Sequence, residues 1–257
     1  MEQIKLSAVI ITCNEEKHIQ KCIESLKDLV DEIVVVDSFS TDRTEEICRQ
    51  YDVKFVQHTF DGHIEQKNRA IDLASYNHVL SLDADEVLSP ELQQSVLANK
   101  KAWNADGYYF NRLTNYCGKR WIKHCGWYPD AKIRLWDKRK GRWEGHKLHE
   151  VVVMERDATV KWIKGDILHY TCNSISDHIL KVNKYSDIMA EEKYERGVKS
   201  SIMKIIYKTM WSFVRDYFLR LGFLDGYYGF VVCKISAFAT FLKYVKLRQL
   251  NQLQEKV

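Results

Sequence analysis

The stretch HVLSLDADE, residues 78–86, runs from an apolar segment into three acidic side chains within four positions. Asp83, Asp85 and Glu86 follow directly on residues that the apolar run predicts to be a buried strand. Like charges this close repel one another, so the cluster is either a solvated turn or a site that binds something positive. For an isolated D-x-D pair the solvated turn is the simpler interpretation, so the neighbouring segments decide between the two.

The first hundred residues alternate apolar runs with segments of helical spacing. Strands are predicted at LSAVIIT (6–12), EIVVVD (32–37), VKFVQH (53–58) and HVLSLD (78–83). Helices are predicted within EEKHIQKCIESLKDL (15–29), TDRTEEICRQY (41–51, with Thr41 or Asp42 as N-cap) and HIEQKNRAIDLAS (63–75). Apolar strands separated by amphipathic helices indicate an α/β fold with a mostly parallel central sheet that is covered on both faces.

Polar, mainly acidic segments follow three of these strands: TCNEE (12–16), DSFSTD (37–42) and DADE (83–86). In such sheets ligands bind at the carboxyl ends of the strands, so the three segments are expected to meet at one site. The dinucleotide fingerprint GxGxxG is missing, which argues against a Rossmann dehydrogenase. Carboxylate oxygens suit Mg²⁺ or Mn²⁺, which proteins commonly share with substrate phosphates.

The residue pattern changes twice in the remainder of the chain, after about residue 100 and after residue 175. Residues 103–175 are rich in Trp, Tyr, Gly, His and basic residues, with short strand-like pieces such as GYYFNRL, KIRLW and TVKWI. After residue 175 the pattern becomes helical. We therefore predict a first domain over 1–175, whose halves (about 1–100 and 101–175) differ in composition, followed by a helical region over 176–257.

The cysteines and the first residues indicate the cellular compartment of the protein. Seven cysteines without a CxxC pair indicate reduced thiols in the cytoplasm. Cys117, His124 and Cys125 fit no familiar zinc spacing. The apolar run near the N-terminus is too short for a signal peptide and is interpreted as the first strand.

Positive charge is concentrated in the last part of the chain. Residues 200–257 hold 9 Lys and Arg against 3 Asp and Glu, whereas residues 1–199 hold 30 against 32. Basic residues beside Trp, Tyr and Phe favour a helix that rests on anionic lipid. Asp225, Lys234 and three glycines interrupt the apolar segment 222–245, which argues against a transmembrane span. A helical pair packed on its own domain stays an alternative, and no nucleic-acid motif is present.

Several of these segments, taken together, resemble a known protein family. TCNEE, VVDSFSTDRT (35–44) and LDADE (82–86), in this order, resemble the family 2 glycosyltransferases of the GT-A fold. The similarity continues through HIEQKNRAI, YPDAKIRLW, WEGHKLHE and LHYTCNSISDHILKVNKYS. RDYFLRLGFLDGYYGF (215–230) looks like the tail of bacterial lipopolysaccharide-core glucosyltransferases, so the resemblance covers nearly the whole chain. It implies that residues 1–175 form a catalytic domain, with a nucleotide-binding half (about 1–100) and an acceptor-side half (101–175).

The resemblance implies roles at the nucleotide. Thr12, Asn14 and Glu15 would line the uridine pocket, and Asp37 would bond the uracil ring. Each of these residues belongs to one of the polar segments at the predicted strand ends.

It also implies contacts with the diphosphate and the ribose. Lys67 and Arg69 would lie near the nucleotide or its phosphates, which suits their charge; a solvated helix face is the alternative. Asp83 would contact the ribose, and Ala84 belongs to the same nucleotide-binding segment.

The metal follows from the same comparison. Asp85 would ligate the Mg²⁺ or Mn²⁺ that bridges the diphosphate, and His169 would be a second protein ligand, as in some relatives; a structural histidine is the alternative. A bound cation stabilises the negative charge that develops on the departing phosphate.

The acceptor side needs a group that takes a proton from the attacking hydroxyl. In WEGHKLHE the resemblance favours Glu150 as this base, with Glu144 in reserve. His146 and His149 form HxxHE rather than the HExxH of zinc proteases, in what is predicted to be a loop leading into a strand. Lys132 and Arg134 could meet an anionic acceptor. Four aromatic residues could stack on sugars or belong to the core: Trp121, Trp127, Tyr128 and Trp143.

The sequence therefore predicts an inverting, metal-dependent glycosyltransferase. The donor would be a UDP-sugar, with glucose favoured, and the acceptor a lipid-anchored glycan such as an inner-core heptose of lipopolysaccharide. The protein would be cytoplasmic and peripheral on the inner face of the bacterial inner membrane. The alternatives are a transferase for another lipid-linked or capsular acceptor, and a non-catalytic protein that binds nucleotide sugars.

Overall fold

The computed structural model describes residues 3–146 and 149–254, apart from the side chains of His146, His149 and Gln254. The chain divides into two compact units. The first comprises Met1–Leu113 and Asp130–Tyr170, and the second comprises Thr114–Pro129 and Thr171–Val257. The domain boundaries proposed from the sequence stay predictions.

The strands lie mainly in the first unit. Their bounds are β1 (Leu6–Thr12), β2 (Glu32–Asp37), β3 (Lys54–Gln57), β4 (His78–Asp83), β5 (Glu86–Leu88), β6 (Gly107–Tyr116), β7 (Arg120–Ile122), β8 (Ala131–Asp137), β9 (Gly141–His146), β10 (His149–Met154) and β11 (Val160–Cys172). The main sheet has the order β3-β2-β1-β4-β8-β6-β11-β5, and β9 pairs with β10 in a separate hairpin.

The parallel half of the sheet fixes the register of the strand ends. β1 pairs in parallel with β2 and with β4, which sets Thr12 opposite Asp37 and Ile11 opposite Asp83. The polar segments after these strands therefore leave the sheet side by side, as the sequence predicts. Strands β8 and β5 add antiparallel pairs, with β4 and β11 respectively. The predicted α/β fold class is confirmed.

Four helices pack on the two faces of this sheet. They are α1 (Ile19–Glu24), α2 (Thr44–Cys48), α3 (His63–Leu73) and α4 (Pro90–Lys101). Ser89 caps α4 by accepting a hydrogen bond from the Leu92 N–H, and Pro90 occupies the first turn, where no amide donor is needed. Alternate residues of β1 enter opposite cores, Ile10 with the α1 side and Val9 with the α3 side. Both faces are thus apolar, as a parallel sheet requires.

The second unit is mainly helical. β7 pairs with the final residues of β6, Thr114–Tyr116. Three helices follow: α5 (Ile175–Glu195), α6 (Ile202–Val214) and α7 (Gly226–Gln254), with a π-helical turn (Arg215–Leu219) and a 3₁₀ turn (Gly222–Asp225) before α7. Among the residues described, no helix has a stretch that is long and apolar enough to cross a membrane.

Two local predictions need correction. The helix predicted from Thr41 or Asp42 begins at Thr44, because Asp42 accepts from the Thr44 N–H and hydroxyl and holds the segment before it as a turn. The segment WEGHKLHE is not a loop leading into a strand, since residues on both sides of its centre belong to the β9–β10 hairpin. Gly145 interrupts the apolar alternation that would have marked the first of these strands.

Candidate active site

The first two strand ends are tied together by hydrogen bonds between their loops. Asn14 has a left-handed backbone, with φ of 55°, and its side-chain oxygen accepts from the Thr41 N–H at 2.7 Å. Its own N–H donates to the Ser40 hydroxyl at 2.8 Å. The Glu15 N–H donates to the Thr44 hydroxyl at 2.8 Å. The β1 and β2 loops therefore form one preorganised edge.

Two buried polar groups lie at this edge. Asp37 is fully buried and accepts from the Ser40 N–H at 2.9 Å and from the Ser40 hydroxyl. The buried Thr12 hydroxyl has no hydrogen-bond partner among the described residues. A carboxylate has about four acceptor positions, so Asp37 retains capacity for a further donor.

The third strand end carries a buried ion pair. Lys67, on α3, places Nζ 3.0 Å from Oδ1 of Asp83. The same ammonium group lies 4.4 Å from the ring centre of Trp143, and the guanidinium of Arg134 lies 4.8 Å from it. Burial alone would raise the pKa of Asp83, but the charges of Lys67 and Arg134 hold it well below its usual range. Asp83 is therefore held as a carboxylate.

Glu86 is the buried carboxylate that joins Asp83, Arg134 and Arg112 in this charge network. It is fully buried, and its carboxylate accepts from the Asp83 N–H at 3.0 Å. Arg134 approaches it at 3.1 Å and Arg112 at 3.4 Å, and Arg112 also pairs with Asp130 at 2.8 Å. The three basic side chains of the network, Lys67, Arg112 and Arg134, balance the charges of Asp83, Glu86 and Asp130.

Sequence reasoning missed the roles of Arg134 and Glu86. Arg134 is buried and points to Glu86 and Asp83, so the interpretation that it meets an anionic acceptor is not supported by its contacts. The available signal was its position in KIRLW, since an arginine within an apolar strand must find a buried carboxylate.

Asp85 is paired with a histidine of β11. β11 runs antiparallel to β5, which places His169 opposite Glu86 and next to Asp85. His169 Nε2 lies 3.3 Å from Asp85 Oδ2, and both side chains are half-buried. Neighbouring ligands of an octahedral cation with bonds of about 2.1 Å are about 3 Å apart, so the pair fits a shared Mg²⁺ or Mn²⁺.

The remaining ligands of such a cation would come from elsewhere. Within residues 3–146 and 149–254, no group of three or more His, Cys, Asp or Glu side chains is arranged to hold a metal ion. Two protein ligands leave positions for water and substrate phosphate, the arrangement usual for Mg²⁺.

Comparisons with known proteins identify the family of this chain. The model of the family "Glycosyl transferase family 2" matches residues 7–156, which is more than half of the chain. The chain belongs to glycosyltransferase family 2. The predicted family and fold class are therefore confirmed.

Relatives match over nearly the full length. An uncharacterized glycosyltransferase of Rickettsia typhi is 34% identical over 96% of this chain and 88% of its own. The lipopolysaccharide core biosynthesis glycosyltransferase LpsC of Rhizobium meliloti is 30% identical over 99% of this chain and 96% of its own. Among solved structures, residues 1–349 of S. aureus TarS give a TM-score of 0.46 at 14% identity, covering 98% of this chain and 92% of that one.

In this family 2 glycosyltransferase, the two basic residues predicted near the phosphates differ in their surroundings. Lys67 is buried against Asp83, as described above. Arg69 is partly exposed and makes a double contact with Asp61, at 2.8 and 3.1 Å. Lys67 is thus joined to the acidic cluster, whereas Arg69 is held by a carboxylate outside it.

The acceptor-side candidates lie on the β9–β10 hairpin. Glu150 pairs with Gly145 and is half-buried, whereas Glu144, opposite Val151, is exposed. Neither carboxylate has a hydrogen bond or ion pair to another described residue. The side chains of His146 and His149 lie outside the described residues, and Trp143 belongs to the core.

Proposed function

We propose that this family 2 glycosyltransferase is an inverting, divalent-metal-dependent enzyme that transfers glucose from UDP-glucose to an inner-core heptose of lipopolysaccharide. The observation that carries the proposal is the contrast within the acidic cluster. Asp83 is neutralised by Lys67 and Arg134, while Asp85 has the histidine partner that a cation site needs. The full-length similarity to LpsC supports the acceptor class.

The residues of the first two strand ends would bind the nucleoside. Asp37 would accept a hydrogen bond from the uracil ring, and the loop residues Thr12, Asn14 and Glu15 would surround it. Asp83, beside Ala84, would accept from the ribose, and Lys67 and Arg69 would lie on the diphosphate side. The hydrogen bonds between the two loops support this role, because they fix the pocket before the nucleotide arrives.

Chemistry at the diphosphate would depend on Asp85 and His169, which would hold the cation. A divalent ion there supplies positive charge to the departing phosphate without a proton transfer. On the acceptor side, Glu150 would take the proton from the attacking hydroxyl. The acceptor oxygen would bond to the sugar carbon as the bond to the diphosphate breaks and UDP leaves, and this single displacement inverts the sugar carbon.

Nucleotide release by the purified full chain tests the proposal. UDP-, GDP- and CMP-sugars would be compared with Mn²⁺ or Mg²⁺, with and without a deacylated core oligosaccharide. We expect release from UDP-glucose that the acceptor stimulates and EDTA abolishes, with an inverted anomeric centre by NMR. UDP binding without release under any condition would favour a non-catalytic nucleotide-sugar-binding protein; stimulation by a different lipid-linked or capsular glycan would replace the heptose acceptor.

Two matched substitutions test the roles of the carboxylates. Asp85→Asn should lower turnover by about a thousandfold, the scale of losing electrostatic stabilisation of a leaving group, whereas the exposed Asp52→Asn should not. Glu150→Gln should abolish transfer and retain UDP binding, while Glu144→Gln should retain both. The reverse result for the two glutamates would make Glu144 the base.

The second unit supports attachment to a membrane surface at the cytoplasmic side. The ammonium groups of Lys193, Lys204 and Lys243 lie 6.0, 5.8 and 5.4 Å from the ring centre of Tyr244, and none of them has a carboxylate partner in the described part of the chain. Burial and the neighbouring cations Lys193, Arg215 and Lys208 lower the pKa of Lys243. Such a cluster attracts anionic headgroups, and all seven cysteines are free thiols, which suits the cytoplasm.

A further inference from the structure

A groove of about 460 Å³ lies between α6 and α7. Six of its lining residues are apolar, and they are Met210, Phe213, Val214, Ala237, Phe238 and Phe241. Thr209 and Lys234 complete the lining. The volume falls within the range of small-molecule pockets, about 300 to 1,000 Å³.

The groove lies where α6 meets α7 through a small side chain. The buried Ser212 hydroxyl accepts from Thr240 of α7 at 3.3 Å. Ile205 is the other buried residue of α6. Most of its remaining large apolar side chains point outward, and Met210 is 63% exposed. This is the opposite of the pattern of an ordinary surface helix, whose apolar stripe faces the core.

A cation lies at the groove. Lys234 Nζ is 4.2 Å from the ring centre of Phe213 and 5.6 Å from that of Phe230. No carboxylate among the described residues pairs with it, and the side chain is exposed. The groove thus combines a wall of apolar side chains with one ammonium group free to meet an anion.

We infer that this groove binds one acyl chain of an anionic phospholipid, whose phosphate pairs with Lys234. The inference deepens the membrane attachment proposed above. A second copy of the chain fits less well, because residues 200–257 carry 9 basic against 3 acidic residues and two such surfaces repel. An anionic amphiphile complements both the charge and the apolar wall.

Vesicle sedimentation tests the headgroup contact without donor or acceptor. The full chain should bind vesicles of phosphatidylcholine with phosphatidylglycerol and bind pure phosphatidylcholine weakly. Lys234→Gln should lower the affinity for the anionic vesicles about fivefold, as expected for one lysine near a charged surface. Lys184→Gln, an exposed lysine of α5, is the matched control and should change the affinity less than twofold. Equal losses in the two variants would mean diffuse attraction and overturn the site.

Native mass spectrometry tests the acyl chain. Lysophosphatidylglycerol should bind in a 1:1 complex, whereas glycerol phosphate, which lacks the chain, should not. Ala237→Phe, which fills the groove, should weaken this complex at least about tenfold, the equivalent of two methylene groups left in water. Unchanged binding in Ala237→Phe, or a wild-type dimer that this substitution splits, would overturn the proposal.

Failure of this site and failure of the transferase assignment are distinguishable. Transfer from UDP-glucose to the deacylated, soluble acceptor should be the same in wild type, Lys234→Gln and Ala237→Phe. Loss of transfer to that acceptor in either variant would place the groove in the catalytic machinery and contradict a lipid role.

Discussion

Two clusters of basic side chains, one in each unit, differ in how their charge is balanced. In the first unit, Lys67, Arg134 and Arg112 are all paired with Asp83 or Glu86, and the network is largely buried. In the second unit, the lysines around Tyr244 have no carboxylate partner in the described part of the chain. A charge removed from water must be compensated inside the protein, whereas a charge that keeps contact with solvent can be left for a partner. The difference separates charges that are balanced within the protein from charges that a partner can balance.

The largest effect is expected on breaking the buried network. Glu86→Gln leaves Arg134 and Arg112 facing a neutral amide, so the free energy of unfolding should fall by about 3 to 5 kcal/mol. Chemical denaturation measures it. Glu46→Gln is the control, because its pair with Arg43 is exposed and should contribute less than about 1 kcal/mol. Similar losses in both variants would show that burial does not distinguish the two pairs.

A buried histidine of the second unit, His178, should make that unit sensitive to acid. Burial, with Lys181 nearby, lowers the pKa of His178 to about 4, and its Nδ1 lies 2.9 Å from the Tyr116 hydroxyl. Between pH 6.5 and 4 the unfolded chain binds a proton that the folded chain does not, so stability falls as the pH falls.

The expected loss across this window is about 3 kcal/mol. Denaturation curves between pH 7 and 4 should show a correspondingly shallower pH dependence for His178→Asn, measured against its own stability at pH 7. Parallel curves for the variant and the wild type would mean that folding does not lower the pKa of His178.

Much of the first unit could be predicted because local pattern decides it. The apolar runs at 6–12, 32–37 and 78–83 coincide with β1, β2 and β4. Parallel pairing then brings their polar ends together whatever lies on the other side of the sheet. The pairing of Asp85 with His169 agrees with the metal prediction, which itself stays a prediction.

The rest depends on contacts that no local pattern reports. Glu86 meets Arg134 and Arg112 only because β5, β8 and β6 take particular places in the sheet. Likewise, helical spacing in α6 shows that one face is apolar but not whether that face points inward. The structure places most of it outward, since Met203, Ile206 and Met210 are exposed.

A smaller effect should distinguish the two basic residues of α3. Lys67→Met removes the ammonium group between Asp83 and Trp143, and UDP affinity should fall about tenfold, the effect of losing one charge-assisted contact. Arg69→Met should lower it less than threefold, because Asp61 already holds the guanidinium. Calorimetric titration with UDP measures both. A larger loss for Arg69→Met would mean that Arg69 leaves Asp61 to bind the phosphates.

The smallest effect on stability is expected at the exposed apolar residues of α6. Because the fold is little affected there, a change in vesicle binding can be attributed to the lost side chain. Met203 is 76% exposed, so Met203→Ser should change the free energy of unfolding by no more than about 0.5 kcal/mol. The same substitution should reduce binding to anionic vesicles by about fivefold, because a large apolar side chain gains roughly 1 kcal/mol or more on leaving water. A substitution that destabilised the fold and left vesicle binding intact would show that the outward apolar face of α6 serves folding, and the contrast between the units would then concern charge alone.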